Sequence, residues 1–212
     1  MKYKLTNTTK IVNGVTLYQI QALKDFSDVK KGDIGGWIQA EKNLSQENNC
    51  WVWGDALVYG DARVYNDAMV YNDALVYGDA WVWGDANVSG KAQVSGNARV
   101  SGKAQVSGNA RVYDEARVSG NARVSGNAWV DDDARVSGKA QVSGNARVYD
   151  DARVSGNAQV SGMARIGLIE INFNLEGDFN EILKALFQKN NLPILLGIHP
   201  DLDKIIAYKL SH

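Results

Sequence analysis

The stretch RVSGKAQVSGNARVYDEARVSGNARV, Arg99–Val124, returns a valine at every sixth residue and an alanine four places after each valine. From Val52 to Arg165 nineteen units of the form V-x-(G/N/D)-x-A-x follow one another without an insertion. In an extended A-R-V-S segment alternate side chains point to opposite sides, so Ala and Val share one side and Arg and Ser the other. The pair that follows (Gly-Asn, Gly-Lys, Gly-Asp or Asn-Asp) is turn chemistry, because Gly, Asn and Asp tolerate positive φ. Each unit therefore reads as a short strand plus a corner. One such strand cannot bury its Val–Ala side alone. A stack of coils can, and a fixed short period is the mark of a solenoid.

The fold expected is mainly β. A strict period of six resembles the hexapeptide-repeat left-handed parallel β-helix, in which three units close an 18-residue triangular coil. The left hand is what that resemblance implies, since the general crossover rule favours the right hand. Nineteen units then make about six coils, on the order of 30 Å long at the ~4.8 Å strand spacing. Valine at one inward position and only alanine at the other imply a narrow bore, which is why neither varies.

The two ends break the period. Thr9–Leu23, TKIVNGVTLYQIQAL, reads as a hairpin about Asn13-Gly14, the favoured type I′ pair. Cys50 falls on the alanine register and is expected to be a small buried residue. DFSDVKKGDIGGWI (Asp25–Ile38) followed by NLSQENNCWVWGDA (Asn43–Ala56) resembles the start of the YdcK-like hexapeptide-repeat proteins of bacteria and phages. The resemblance covers about residues 1–165. It implies a left-handed β-helix and carries no catalytic residue over. Beyond the repeat, Ile169, Ile171, Phe173 and Leu175 alternate with polar residues as in a strand. Asp178 and Glu181 after Gly177 signal a helix start, and Phe179, Ile182, Leu183, Leu186 and Phe187 form its apolar stripe. PILLGI and KIIAYKL are two further strand candidates. The expected plan is an N-terminal β-hairpin cap at 1–50, a β-helix at 51–165 and a C-terminal β-α-β-β cap at 166–212.

The bulk numbers exclude more than they identify. A net charge of −1 over 212 residues, with a pI near 6.1, gives no global argument for nucleic acid or membrane binding. One cysteine excludes an internal disulfide. MKYKLTNTTK shows no secretory pattern, and no apolar run is long enough for a membrane span, so a cytoplasmic setting is expected. Charge is nonetheless polarised: residues 51–86 carry 1 basic and 6 acidic side chains, residues 87–165 carry 11 and 7.

Many hexapeptide β-helices are acyltransferases with a catalytic histidine in a coil, and others hold a metal with several. This chain has only His199 and His212, both outside the repeats. A general base must reach its substrate, and no inserted loop builds an acyl-carrier pocket. No catalytic residue, cofactor or metal is expected.

In a triangular coil residues 18 apart stack, which sorts the outward positions into three faces. The first begins with Trp51/Trp53 and Met69/Tyr71, the second with Leu57/Tyr59 and Leu75/Tyr77, the third with Arg63/Tyr65 and Trp81/Trp83. The band Trp51, Trp53, Leu57, Tyr59, Tyr65, Tyr71, Tyr77, Trp81 and Trp83 is expected outside the Val–Ala core. It reads as an interface, unless residues 1–50 fold back over it. Lower on the third face Arg99, Arg117, Arg135 and Arg153 form a ladder. Neighbours at ~4.8 Å repel by about 0.9 kcal/mol in bulk water. The preceding corner offers counter-charge: Asp114, Glu115, Asp132, Asp133, Asp150 and Asp151. Mutual neutralisation is one reading of this pattern, and an anion site for phosphate or nucleic acid is the other. Asp131, Asp132, Asp133 and Asp150 also offer oxygens to a hard cation, against a simple solvated corner.

The function expected is that of a non-catalytic binding or scaffold protein. It would act through self-association, as homodimer or homotrimer, and through contact with a protein partner. Two alternatives remain at this level: a phage-type inhibitor of a host defence complex (a CRISPR-like nuclease or nucleotide-signalling assembly), and an acyltransferase-like enzyme lacking the usual histidine.

Overall fold

The computed structural model describes residues 1–167 and 170–171. The expected helix and last two strands of the C-terminal segment, with His199 and His212, lie outside the described residues. Within them the chain is strand and turn, apart from one short 3-10 turn at Glu41–Asn43.

The repeat winds into three parallel sheets. Arg117 stands level with Arg99 above and Arg135 below, and Val118 with Val100 and Val136. Residues 18 apart therefore stack throughout the repeat. Each face holds seven strands of the winding, so the solenoid has about seven turns rather than the expected six. The extra strands are Arg165–Gly167 and Glu170–Ile171, which pair below Arg147–Tyr149 and Arg153–Val154. There Ile166 and Ile171, both buried, occupy the valine position. Strand pairing is a backbone matter, and the winding continues for as long as a β-branched residue fills the bore.

The energetics explain the monotony of the core. Every valine from Val52 to Val160 and every alanine from Ala56 to Ala164 is buried. Burying one valine contributes about 1.5 kcal/mol, whereas ordering six residues costs roughly 6 kcal/mol or more. A lone unit is therefore unstable, and stacking must supply the rest. Three of the six amides in a unit donate to the next turn. Arg117, Ser119 and Asn121 give their N–H groups to the carbonyls of Ala134, Val136 and Gly138 at 2.9, 2.9 and 2.6 Å. Ala122 closes the corner by donating to Ser119 O at 3.3 Å. The corner residue with positive φ is Gly, Asn or Asp, as the turn chemistry requires.

The first fifty residues belong to the same sheet system. β1 (Tyr3–Val12) and β2 (Val15–Ala22) form the expected hairpin, with Asn13 and Gly14 at φ 51° and 78°. β2 pairs antiparallel with β3 (Ile34–Ile38), and β3 runs parallel to Leu57–Val58. The second face thereby becomes a ten-stranded sheet. Ile38 stands level with Val58, and Leu44 bridges to Val64, so both fill inward positions ahead of the repeat. The double glycine in DIGGWI follows from this path. A Cβ on Gly35 would lie 2.6 Å from Ile20 Cγ1 and 2.7 Å from Trp51 Cζ2; one on Gly36 would lie 2.7 Å from Val52 Cγ1. Backbone itself crosses the end of the bore, and no side chain fits.

Candidate interaction surface

The aromatic band divides into a covered part and an open part. Trp51 is fully buried, with the rings of Tyr3, Phe26 and Trp53 set edge to face against it at centre-to-centre distances of 6.0, 5.4 and 6.2 Å. Leu57 and Tyr59 are buried with Leu17 of β2. For these three the fold-back alternative holds: they stand at outward positions of the repeat, and the N-terminal segment covers them. Trp53, Tyr65, Tyr71, Tyr77 and Trp83 are half-buried, and Trp81 remains 38% exposed. Stacking at the coil repeat orders them. Tyr59 lies parallel to Tyr77 at 5.3 Å, and Tyr65 to Trp83 at 5.8 Å. Trp81, the exposed ring of the band, lies on the third face. There Arg63, Tyr65 and Trp81 join Lys42, Leu44 and Gln46 around a cleft of about 480 Å³.

The covered end is held by buried polar groups. Lys2, 1% exposed, donates to the carbonyl oxygens of Cys50, Glu47 and Asn48 at 2.8, 3.2 and 3.3 Å. Its Nζ also lies 3.2 Å from Cys50 Sγ. Burial lowers the Lys2 pKa and raises that of the Cys50 thiol. Tyr3 donates to Leu44 O at 2.6 Å, and burial holds its hydroxyl far above the usual range. Asn43, buried, accepts from Ala40 N–H and donates to the carbonyls of Gly60 and Ala62 at 3.0 and 2.9 Å. These contacts account for Lys2, Cys50 and Asn43 as structural groups.

The arginine ladder stands where the 18-residue rule places it. Arg99, Arg117, Arg135 and Arg153 are level neighbours on the third face, all exposed. Arg99 and Arg63 sit over the two sides of Trp81, at 5.7 and 5.8 Å from the ring centre. The acidic corner beside the ladder is also stacked. Asn97 donates to Glu115 Oε1 at 2.6 Å, and the Asp150 N–H donates to Asp132 Oδ2 at 3.4 Å. Asp114, Asp132 and Asp150 take the positive-φ position, at 56°, 54° and 53°. Among the described residues no ion pair joins this corner to the ladder. Acidic and basic columns run side by side without touching.

A second cluster, on the second face, escaped the sequence reading. Trp129 lies between Arg111 and Arg147, whose guanidinium carbons are 5.0 and 4.6 Å from its ring centre. Arg147 donates to Asp131 Oδ2 at 2.9 Å. Asp131 is 4% exposed, so it is the arginine's partner and stands apart from the solvated corner considered for a cation. No three acidic, histidine or cysteine side chains converge among the described residues. Tyr113, edge-on to Trp129 at 6.0 Å, has its hydroxyl pushed up to about 12, by burial first and by the Asp131 carboxylate second. The signal for this cluster was available: Arg111, Trp129 and Arg147 stand 18 apart.

Comparison with known proteins places the chain among repeat solenoids. Residues 80–179 match a family described as bactofilin, polymer-forming cytoskeletal. Residues 62–78 match the YdcK β-solenoid repeat. The protein named uncharacterized acetyltransferase YdcK, from Escherichia coli (strain K12), is 54% identical over 39 residues. That stretch is 18% of this chain and 12% of the relative, so the chain matches only a small part of that protein's length. No helix among the described residues is long and apolar enough to cross a membrane. The six-residue winding, the YdcK repeat match and the shared stretch together show a β-solenoid that is similar to YdcK over those residues.

Proposed function

We propose that the protein is a non-catalytic scaffold of the cytoplasm that works by self-association and by presenting its flat faces to protein partners. The observation that carries this reading is the unbroken stacking of outward columns over about seven turns, in a repeat region similar to a polymer-forming family. No loop interrupts the coils to build a substrate pocket, and the two histidines of the chain lie beyond the repeat. The open aromatic remainder around Trp81 adds apolar contact area at one end of the third face. The name of the Escherichia coli relative favours acetyl transfer as a second reading, through the one short stretch shared.

Two measurements test the proposal. Light-scattering mass is followed over a concentration series for the wild type and for W81A/W83A. The expected result is a wild-type mass that rises above the 23.1 kDa of one chain, with the variant shifted toward the monomer. A monomeric wild type at every concentration refutes self-association. Saturable binding of acetyl-CoA in calorimetry supports the second reading instead.

A further inference from the structure

The third face carries two charge columns of opposite sign that run parallel to the rod axis. Glu115, in the corner, and Arg117, in the strand, stand on either side of the inward Ala116 and are both exposed, which makes one row. Asp133 and Arg135 make the next row, and Asp151 and Arg153 the third. Strand register stacks these rows directly. All six side chains are exposed, and no ion pair within the described residues uses any of them. A basic column one residue pair away from an acidic one is a poor site for a polyanion, because the acids repel what the arginines attract.

The same arrangement fits a second copy of itself. A two-fold axis parallel to the rod, passing between the columns, exchanges left and right while preserving height. The acidic column of each copy then faces the arginine column of the other, row by row. A two-fold axis across the rod preserves left and right and inverts height, which sets acid against acid and arginine against arginine. The column order therefore selects one of the two ways in which this face can pair isologously.

We infer that two copies of this chain dock side by side through the third face, pointing the same way, with Glu115, Asp133 and Asp151 of each opposite Arg117, Arg135 and Arg153 of the other. The inference rests on the self-association proposed above and names its face and orientation. A strip about 30 Å long and about 16 Å wide buries roughly 1,000 Å² counted over both copies. That lies at the small end of specific interfaces, so the pairing is weak and salt-sensitive.

The test uses two full-length variants, R117E/R135E/R153E and E115K/D133K/D151K, each checked for wild-type circular dichroism. In sedimentation equilibrium each alone associates roughly a hundredfold more weakly than wild type. Mixed together they restore association, because every column then faces its opposite. A single chain carrying all six changes, E115K/R117E/D133K/R135E/D151K/R153E, also regains it and controls for folding. Spin labels at one position near each end of the rod give short distances at both ends for the parallel pair. Unequal or long distances, or variants that associate as well as wild type does, overturn this inference and leave the self-association reading standing. A wild type that never associates overturns both. Capture of a labelled single-stranded oligonucleotide that the arginine reversal abolishes, with association unchanged, assigns the ladder to an anionic ligand and overturns the inference.

Discussion

Close stacking of corners makes a sharp test of how tightly the turns fit. Gly54 and Gly126 occupy the same corner column, at φ 61° and 68°. A Cβ built on Gly54 meets Asn72 O at 3.6 Å, an ordinary contact. One built on Gly126 meets the N and O of Gly144 at 3.0 Å, both backbone atoms that cannot swing away. Gly→Ala at either place forces an L-residue into the left-handed region, at about 1 kcal/mol. At Gly126 the next turn must also yield by a few tenths of an ångström, an overpacking cost of about 2 kcal/mol. With roughly 2–4 °C per kcal/mol for a chain of this size, Gly54→Ala should lower the melting midpoint by about 2–4 °C. Gly126→Ala should lower it by about 6–12 °C. Differential scanning calorimetry on the two variants decides the matter. Gly126→Asn should recover part of the loss, since Asn66 and Asn72 hold the same kind of position at φ 58° and 62°. Equal midpoints for the two alanine variants would refute the claim that successive corners are in limiting contact.

Other expectations follow from the buried charges and from the period. Arg147→Ala strands the Asp131 carboxylate, and urea unfolding should show a loss of about 2 kcal/mol, less than for a wholly buried pair because Arg147 is partly exposed. Adding Asp131→Ser should return most of that loss. Tyr113 keeps its proton in the fold up to about 12 against an ordinary 10.0. Its contribution to stability is thus intact below pH 10 and lost as pH rises through about 12. The melting temperature of Tyr113→Phe should therefore fall less steeply than that of wild type across that window. Deleting residues 99–116, one complete turn, should leave the circular dichroism unchanged and keep every column aligned. Deleting 123–128 alone should also fold, but it carries Arg135 and Arg153 to a different face from Arg117, which breaks the row matching proposed for the third face.

The repeat was legible because its physics is local. A six-residue period, a small aliphatic pair and turn residues at fixed offsets admit few other structures, and the 18-residue columns followed from counting. Exposure was harder to read. Trp51, Leu57 and Tyr59 sit at outward positions of the repeat, and only the path of β1 to β3 reveals that they are covered. That path depends on Gly35 and Gly36, whose role is a close approach between segments distant in sequence. The Arg147–Asp131 pair was missed for a similar reason. Asp131 adjoins Asp132 and Asp133 in the chain and reads as one of three solvated acids, yet the alternation of a strand turns it toward Arg147 in the next turn. The ladder's lack of ion pairs was equally hidden, since the adjacent acids stand close in sequence but outside ion-pair reach.

The sameness of the core has a consequence for assembly of the chain itself. With valine and alanine at every level, any turn could wind onto the wrong neighbour at little energetic penalty. Correct winding needs a landmark that occurs once. Trp51, wedged among Tyr3, Phe26 and Trp53 under the glycine crossing, is such a landmark. It gives the thread a defined first loop, from which each later loop is counted off in synthesis order.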